Sequence, residues 1–213
     1  MRICLFAHSF PPTIGGGETH TYLIAKALSE RGHEVTVITG VPSGNLIAHE
    51  SYPFRVIHVE HFREFEMGKI SLRDFLPGVK EALLRFSYDV VHVHNFMPGL
   101  VYAIVEPLMH TRTVFTFHST PVPEEGKIIG HYPDWQLEEA FVRFVLRLPF
   151  YRVVVCPSRY YDTWAARFGV PTEKRQLVYH GIDVERFQLV PDSTWRSENG
   201  FQSTTSFLSV QYA

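Results

Sequence analysis

Gly15-Gly16-Gly17-Glu18 is the first stretch of this sequence whose residue types point to chemistry. Three glycines in front of a helical pattern let the backbone approach a ligand closely, and the helix offers free N–H groups and a positive dipole end to an anion. The plainer reading is that they only shape a turn. Further along, His8-Ser9, His94-Asn95, His118-Ser119, Ser158 and His180-Gly181-Ile182-Asp183 each follow an apolar run. Imidazoles and hydroxyls in such places can hold a substrate by hydrogen bonds or move a proton. Any one of these histidines can equally be a hydrogen-bonded rim residue. His118 is the strongest candidate, because it follows the strand-like Val114–Phe117 and precedes a Pro/Gly-rich stretch, a usual place for a polar group facing substrate. Four such histidines raise the question of a metal. No H-x-x-x-H or Cys/His spacing defines a coordination set, so no metal is expected.

The elements that position these residues follow from periodicity. Arg2–Ala7 is long enough for a buried strand, and Tyr22, Leu23, Ala25, Ala27 and Leu28 recur at spacings that share a helix face. Gly32 is placed to stop that helix, and Glu34–Thr39 reads as a second strand. Strand, glycine turn, helix and strand form a βαβ unit and imply a parallel sheet. Strands follow at Phe54–Val59, Asp89–His94, Thr113–Phe117, Tyr151–Cys156 and Gln176–Tyr179. Helices follow at Leu72–Phe86 with a break near Pro77-Gly78, Pro98–His110 interrupted at Pro107, Asp134–Leu148, and from Pro157-Ser158 to Phe168. This alternation argues for a doubly wound α/β sheet, in which ligands bind outside the carboxyl ends of the strands. Residues 40–53, 60–71 and 121–133 read as loops or lack a period. Residues 188–205 are polar and read as a linker, with a last strand at Ser206–Val210.

Composition bounds the function classes. A chain of 213 residues with 45% hydrophobic and 14% aromatic content can build a substantial core, as one large domain or one domain and the edge of another. The formal net charge of −2 gives no global argument for nucleic acid. Cys4 and Cys156 lie in apolar runs and read as buried, reduced thiols of a cytoplasmic protein. No run reaches transmembrane length. Arg143, Arg147 and Arg152 lie among Phe141, Phe144, Phe150 and Tyr151, which suggests membrane contact, but Glu138 and Glu139 dilute the charge. A solvated face over an apolar face with Leu137, Phe141, Phe144, Val145 and Leu148 is the better reading.

A dinucleotide fingerprint fails on residues. G-x-G-x-x-G needs Gly where His20 stands, and Thr39-Gly40 occupies the place of the ribose-binding acid. The amino-terminal stretch instead resembles the retaining glycosyltransferases of the large GT-B family four. It matches at Pro11-Pro12, at Gly15-Gly16-Gly17-Glu18 and at Arg31-Gly32-His33-Glu34-Val35. Further matches are Asp89–His94, Thr116-Phe117-His118, Ser158, and Gly181-Ile182-Asp183 with Phe187 following; His180 stands where the family has Asn.

The resemblance covers nearly all of residues 1–187 and implies the Rossmann-like, acceptor-side half of a GT-B enzyme. Such an enzyme moves a sugar from a nucleotide sugar to a sugar, lipid or other small acceptor, retains configuration, and uses no metal or other cofactor. It implies that His118 acts in the cleft, with Gly15, Gly16, Gly17, Glu18, His94, Ser119, Ser158, Gly181 and Asp183 binding donor or acceptor. In the family the basic residues that stabilise the leaving diphosphate, and an E-x7-E motif, lie in a second domain. Residues 188–213 match only a linker and that domain's first strand, so the chain alone is expected to be inactive. A non-catalytic Rossmann-like binding domain, or a different nucleotide enzyme, is the alternative.

Overall fold

The computed structural model describes residues 1–42, 51–63, 71–118, 135–181 and 198. The expected loop 121–133, the linker apart from residue 198, and the strand at 206–210, together with Ser119 and Asp183, lie outside the described residues. Met1–His180 is one compact unit.

Seven strands form its sheet: β1 (Arg2–Phe6), β2 (Glu34–Gly40), β3 (Arg55–Val59), β4 (Val90–His94), β5 (Arg112–Thr116), β6 (Tyr151–Cys156) and β7 (Arg175–Leu177). Every pairing is parallel and the order is β3-β2-β1-β4-β5-β6-β7. The helices are α1 (Gly16–Glu30), α2 (Leu72–Leu84), α3 (Phe96–Val105), α4 (Trp135–Leu146) and α5 (Arg159–Arg167). The chain is therefore doubly wound, as the alternation of the sequence predicts.

Period-two alternation distributes β1 between two cores. Cys4 and Phe6 join the larger one, with Ile38, Val91, Val93 and Phe115, while Ile3 and Leu5 pack with Val35, Val37 and Ala25 of α1. Both cysteines are free and buried, and burial pushes the Cys156 thiol up to about 11 and that of Cys4 higher still. Gly32, at φ 80°, ends α1: its N–H reaches Ser29 O at 2.9 Å and the His33 N–H reaches Leu28 O at 3.2 Å.

Three helices differ from expectation. The run Leu72–Leu84 is one helix through Pro77. Gly78 explains the placement, because a Cβ there would stand 3.1 Å from Val59 on β3, so this face presses close to the sheet. On α4 the buried stripe is Val142, Val145 and Leu146, whereas Phe144 is 56% exposed. Val145 and Leu148 thus pack on the core as expected, while Phe144 faces outward; the side chains of Leu137 and Phe141 lie outside the described ones. The cation reading holds better: Arg143 reaches Glu139 at 2.7 Å and lies 5.3 Å from the Phe168 ring centroid. No helix among the described residues is long and apolar enough to cross a membrane. The helix expected at Pro98–His110 starts earlier, at Phe96, and yields to a 3₁₀ turn at Glu106–Leu108 around Pro107.

Gly99 lets α3 meet its neighbours. A Cβ there would fall 2.6 Å from Val145 Cγ1 and 2.9 Å from the Tyr151 hydroxyl, both on fully buried side chains. Gly99→Ala is therefore expected to destabilise the fold by about 1–3 kcal/mol, the usual cost of overpacking. Chemical denaturation that finds the variant as stable as the wild type would show that this contact can relax.

Candidate functional site

Strand order reverses at β1, so the crevice between the carboxyl ends of β1 and β4 is the switch point where open α/β sheets bind ligands. A cavity of about 250 Å³ lies there. Its walls include His8 and Ser9 after β1, Gly17 and Glu18 at the start of α1, and His94 and His118. These residues, each expected from the sequence at the rim, thus meet in one place with Asn95, which follows His94.

The glycine loop is built around a carboxylate. Gly15 caps α1 in extended backbone, and a Cβ on it would collide with Glu18 Oε2. Glu18 accepts a hydrogen bond from the Ser9 hydroxyl, which ties the first turn of α1 to the end of β1. Gly16 has open space at its Cβ position, and the Cβ position of Gly17 is 4.0 Å from the His118 ring. Gly16 and Gly17 therefore leave the helix N-terminus open to a ligand, while Gly15 leaves room for the Glu18 side chain.

His94 ends β4 and His118 lies two residues beyond β5, on neighbouring strands. Their rings stack with centroids 5.3 Å apart, and His94 Nδ1 is 3.0 Å from His118 Nε2. Thr21 donates its hydroxyl hydrogen to Gly17 O at 2.8 Å, so its oxygen accepts from His94 Nδ1 at 3.3 Å. His94 Nε2 is buried and without a hydrogen-bond partner among the described residues. Asn95, with φ 73°, turns the chain directly after His94, and its side chain caps α3 by accepting from Phe96 N at 3.0 Å.

Two further residues, which sequence reasoning does not find, belong to the site. His20, on α1, has its ring centroid 5.1 Å from that of His118 and 5.9 Å from that of His94. Its Nδ1 is 2.5 Å from His180 Nδ1. The usable signal is helical spacing, since His20 follows Gly16 and Gly17 by one turn and shares their side of α1. Tyr161 donates its hydroxyl to the backbone carbonyl of His118 at 2.7 Å and so fixes the segment that carries the imidazole.

Burial lowers the pKa of every imidazole in this group, and repulsion from neighbouring positive imidazoles adds to it at His20, His94 and His118. His118 falls to about 2, His20 to about 3 and His92 to about 4; His94 lies well below its ordinary value and His180 is lowered. At neutral pH the rings are neutral donors and acceptors.

Ser158 is placed differently. It caps α5, accepting from Tyr161 N at 3.4 Å, and reaches the site only through Tyr161. Gly181 is exposed.

A model of Glycosyltransferase Family 4 matches residues 14–186. The chain belongs to this family. A relative in Methanocaldococcus jannaschii, named an uncharacterized glycosyltransferase (MJ1607), is 26% identical over 95% of the chain and 51% of its own length. The alpha-monoglucosyldiacylglycerol synthase of Acholeplasma laidlawii is 28% identical over 56% of the chain and 30% of its own length. The chain thus spans about half the length, or less, of these curated relatives.

Among solved structures, the chain is similar to Anabaena Alr3699/HepE in complex with UDP and glucose. The TM-score is 0.70 at 19% identity, over 94% of this chain and 50% of that one. Sucrose-phosphate synthase from Thermosynechococcus elongatus gives a TM-score of 0.71 at 16% identity, over 94% and 53%. The fold is the Rossmann-like amino-terminal domain of GT-B glycosyltransferases, so the family expected from the motifs is the one found.

Proposed function

We propose that this chain forms the acceptor-side half of a retaining glycosyltransferase that takes a sugar from a nucleotide sugar and passes it to a sugar, lipid or other small acceptor. One observation carries the reading: neutral His94 and His118 meet the open N-terminus of α1 in a single cavity at the switch point. The family membership and the likeness to a structure holding UDP and glucose support it.

In the reaction the bond from the sugar's anomeric carbon to the diphosphate breaks and a bond to the acceptor oxygen forms. The acceptor proton leaves with the diphosphate, so His118 is not required as a base. Its neutral ring positions a sugar hydroxyl, with His94 behind it. The N–H groups of Gly16 and Gly17 face the anionic side of the donor, where a helix N-terminus favours negative charge. The Glu18 carboxylate, held by Ser9, shapes the loop beside them. Ser119, Ser158, Gly181 and Asp183 complete the proposed binding set, Ser158 acting through Tyr161. Transfer needs no metal or other cofactor, since hydrogen-bond donors and helix dipoles stabilise the leaving diphosphate.

The test compares this chain with a protein spanning the full length of its relatives, against a panel of nucleotide sugars, with product configuration read by NMR. Transfer with retained configuration by the long protein, and none by the 213-residue chain, is the expected result. Inverted product would overturn retention, turnover by the short chain would overturn its dependence on a second half, and failure of the long protein with every donor would favour a binding domain.

A further inference from the structure

The histidine cluster offers more than substrate contacts. One ring nitrogen from each of His20, His94 and His118 lies within 4.8 Å of one from each of the others. The three residues come from separate elements: α1, β4 and the segment after β5. Hydrogen bonds within the protein do not use up their capacity. His94 Nε2 and His20 Nε2 are both buried without a partner among the described residues. A neutral imidazole holds one N–H and one lone pair, and in this arrangement a nitrogen on His20 and one on His94 stay unmatched. His180 crowds the cluster further, its Nδ1 2.5 Å from His20 Nδ1. What such a group lacks is a common acceptor of lone pairs.

We propose that His20, His94 and His118 form a site for a divalent transition metal of the zinc class, and that the metal and the substrate exclude each other there. The ligand chemistry selects the class. Imidazole suits Zn²⁺, Co²⁺, Ni²⁺ and Cu²⁺, while Mg²⁺ and Ca²⁺ take oxygen ligands, which this set lacks. Tetrahedral coordination at about 2.0–2.1 Å would draw the three rings together around the ion, and three protein ligands leave a fourth position for another ligand. Thr21 holds His94 Nδ1, an outer contact of the kind that fixes a ligating ring and its tautomer. A filled site fastens α1 to the ends of β4 and β5 and occupies the His118 ring that the transfer reading gives to a sugar hydroxyl. The metal is therefore an inhibitor of transfer and no part of it. Only this last consequence rests on the transfer reading.

The test is direct binding. The purified chain is stripped with EDTA, titrated with Co²⁺ while visible absorption is followed, and titrated with Zn²⁺ by calorimetry. One metal per chain is expected, with the ligand-field bands of a low-coordinate nitrogen site. His20→Ala is the decisive variant, since Ala is well suited to the helix and the fold can be checked by circular dichroism. It should weaken binding at least about a hundredfold, the upper end of what losing even an outer contact costs. His110→Asn, at an exposed residue with φ 50°, should bind as the wild type does. Wild-type binding no tighter than that of His20→Ala overturns the site. If the site binds but Zn²⁺ leaves transfer by the long protein unaffected, the exclusion is wrong while the metal site stands. If no donor is turned over, only the transfer reading fails.

Discussion

His118→Ala, made in a protein that carries the whole cleft, is expected to lower kcat/KM by about 10²-fold while Tm stays within a few degrees of the wild type. The backbone there is held firmly: β5 runs up to it and the Tyr161 hydroxyl grips its carbonyl at 2.7 Å. The ring stacks on His94 and on His180, with centroids 5.3 and 5.5 Å away. With its pKa near 2 the imidazole carries no charge at working pH, so it contributes geometry and hydrogen bonding. A contact that strengthens as the sugar departs lowers kcat, whereas one equally strong in the bound state raises KM alone. The expected fall lies in both. Removing the ring leaves His94 Nδ1 its contact to Thr21, which is why stability should change little. Tyr161→Phe frees the His118 carbonyl and keeps the ring, so its effect on kcat/KM should be smaller. Unchanged kinetics in His118→Ala, or a loss that follows unfolding, would reduce His118 to a packing residue.

Most of the fold is legible in the sequence because parallel strands buried on both faces are continuous apolar runs. Ile3–Phe6 and Tyr151–Cys156 announce themselves in this way. Helix boundaries set by a local device are readable at Gly32 and Ser158, though the Asn95 cap that starts α3 is missed. What the sequence misplaces depends on neighbours. Pro77 predicts a break from backbone chemistry alone, yet α2 runs through it, with Gly78 pressed close to β3. Periodicity puts Phe144 in the stripe on α4 beside Val145, but Phe144 is exposed and Val142 and Leu146 are buried with Val145.

The site divides the same way. His94, His118 and the glycine loop can be found because a rule of parallel sheets places ligands past the carboxyl ends of strands. In the sequence His20 stands out only as the residue that spoils a fingerprint, since its approach to His94 and His118 is a contact between a helix and two distant strands. Tyr161 leaves no mark in the sequence, because a hydroxyl bonded to a carbonyl 43 residues away has no local spacing. Glu18 is legible as part of a motif, but its use, accepting from Ser9 across the loop, is not.

Acid should destabilise this protein as the pH falls below about 6.5, where the histidines of an unfolded chain take up protons. In the unfolded chain histidines titrate near their ordinary value of 6.5, while in the folded protein His92 titrates near 4, His20 near 3 and His118 near 2. His94 and His180 are shifted in the same direction. Between the two sets of values the unfolded state binds more protons than the native state, so stability rises with pH in that window. The contribution is complete above about pH 6.5 and is lost progressively as the pH falls from there through about 4 for His92, about 3 for His20 and about 2 for His118. Each proton taken up on unfolding is worth up to about 1.4 kcal/mol per pH unit, and several act together. For a chain of this size, Tm at pH 5.0 should lie on the order of 10 °C below that at pH 7.5, with EDTA present to keep metals off the rings. Asp89 does not account for the drop. The Arg2 backbone N–H holds its carboxyl below the ordinary value of 3.8, so its contribution persists until the pH is lower still. The variant that isolates the effect is His92→Gln, because His92 is part of this group and bonds Thr116 Oγ1 at 2.6 Å without lining the cavity. Its Tm should depend less steeply on pH, by up to one proton. A flat Tm between pH 7.5 and 5.0, or an undiminished slope in that variant, would show that the imidazoles gain protons without unfolding the chain.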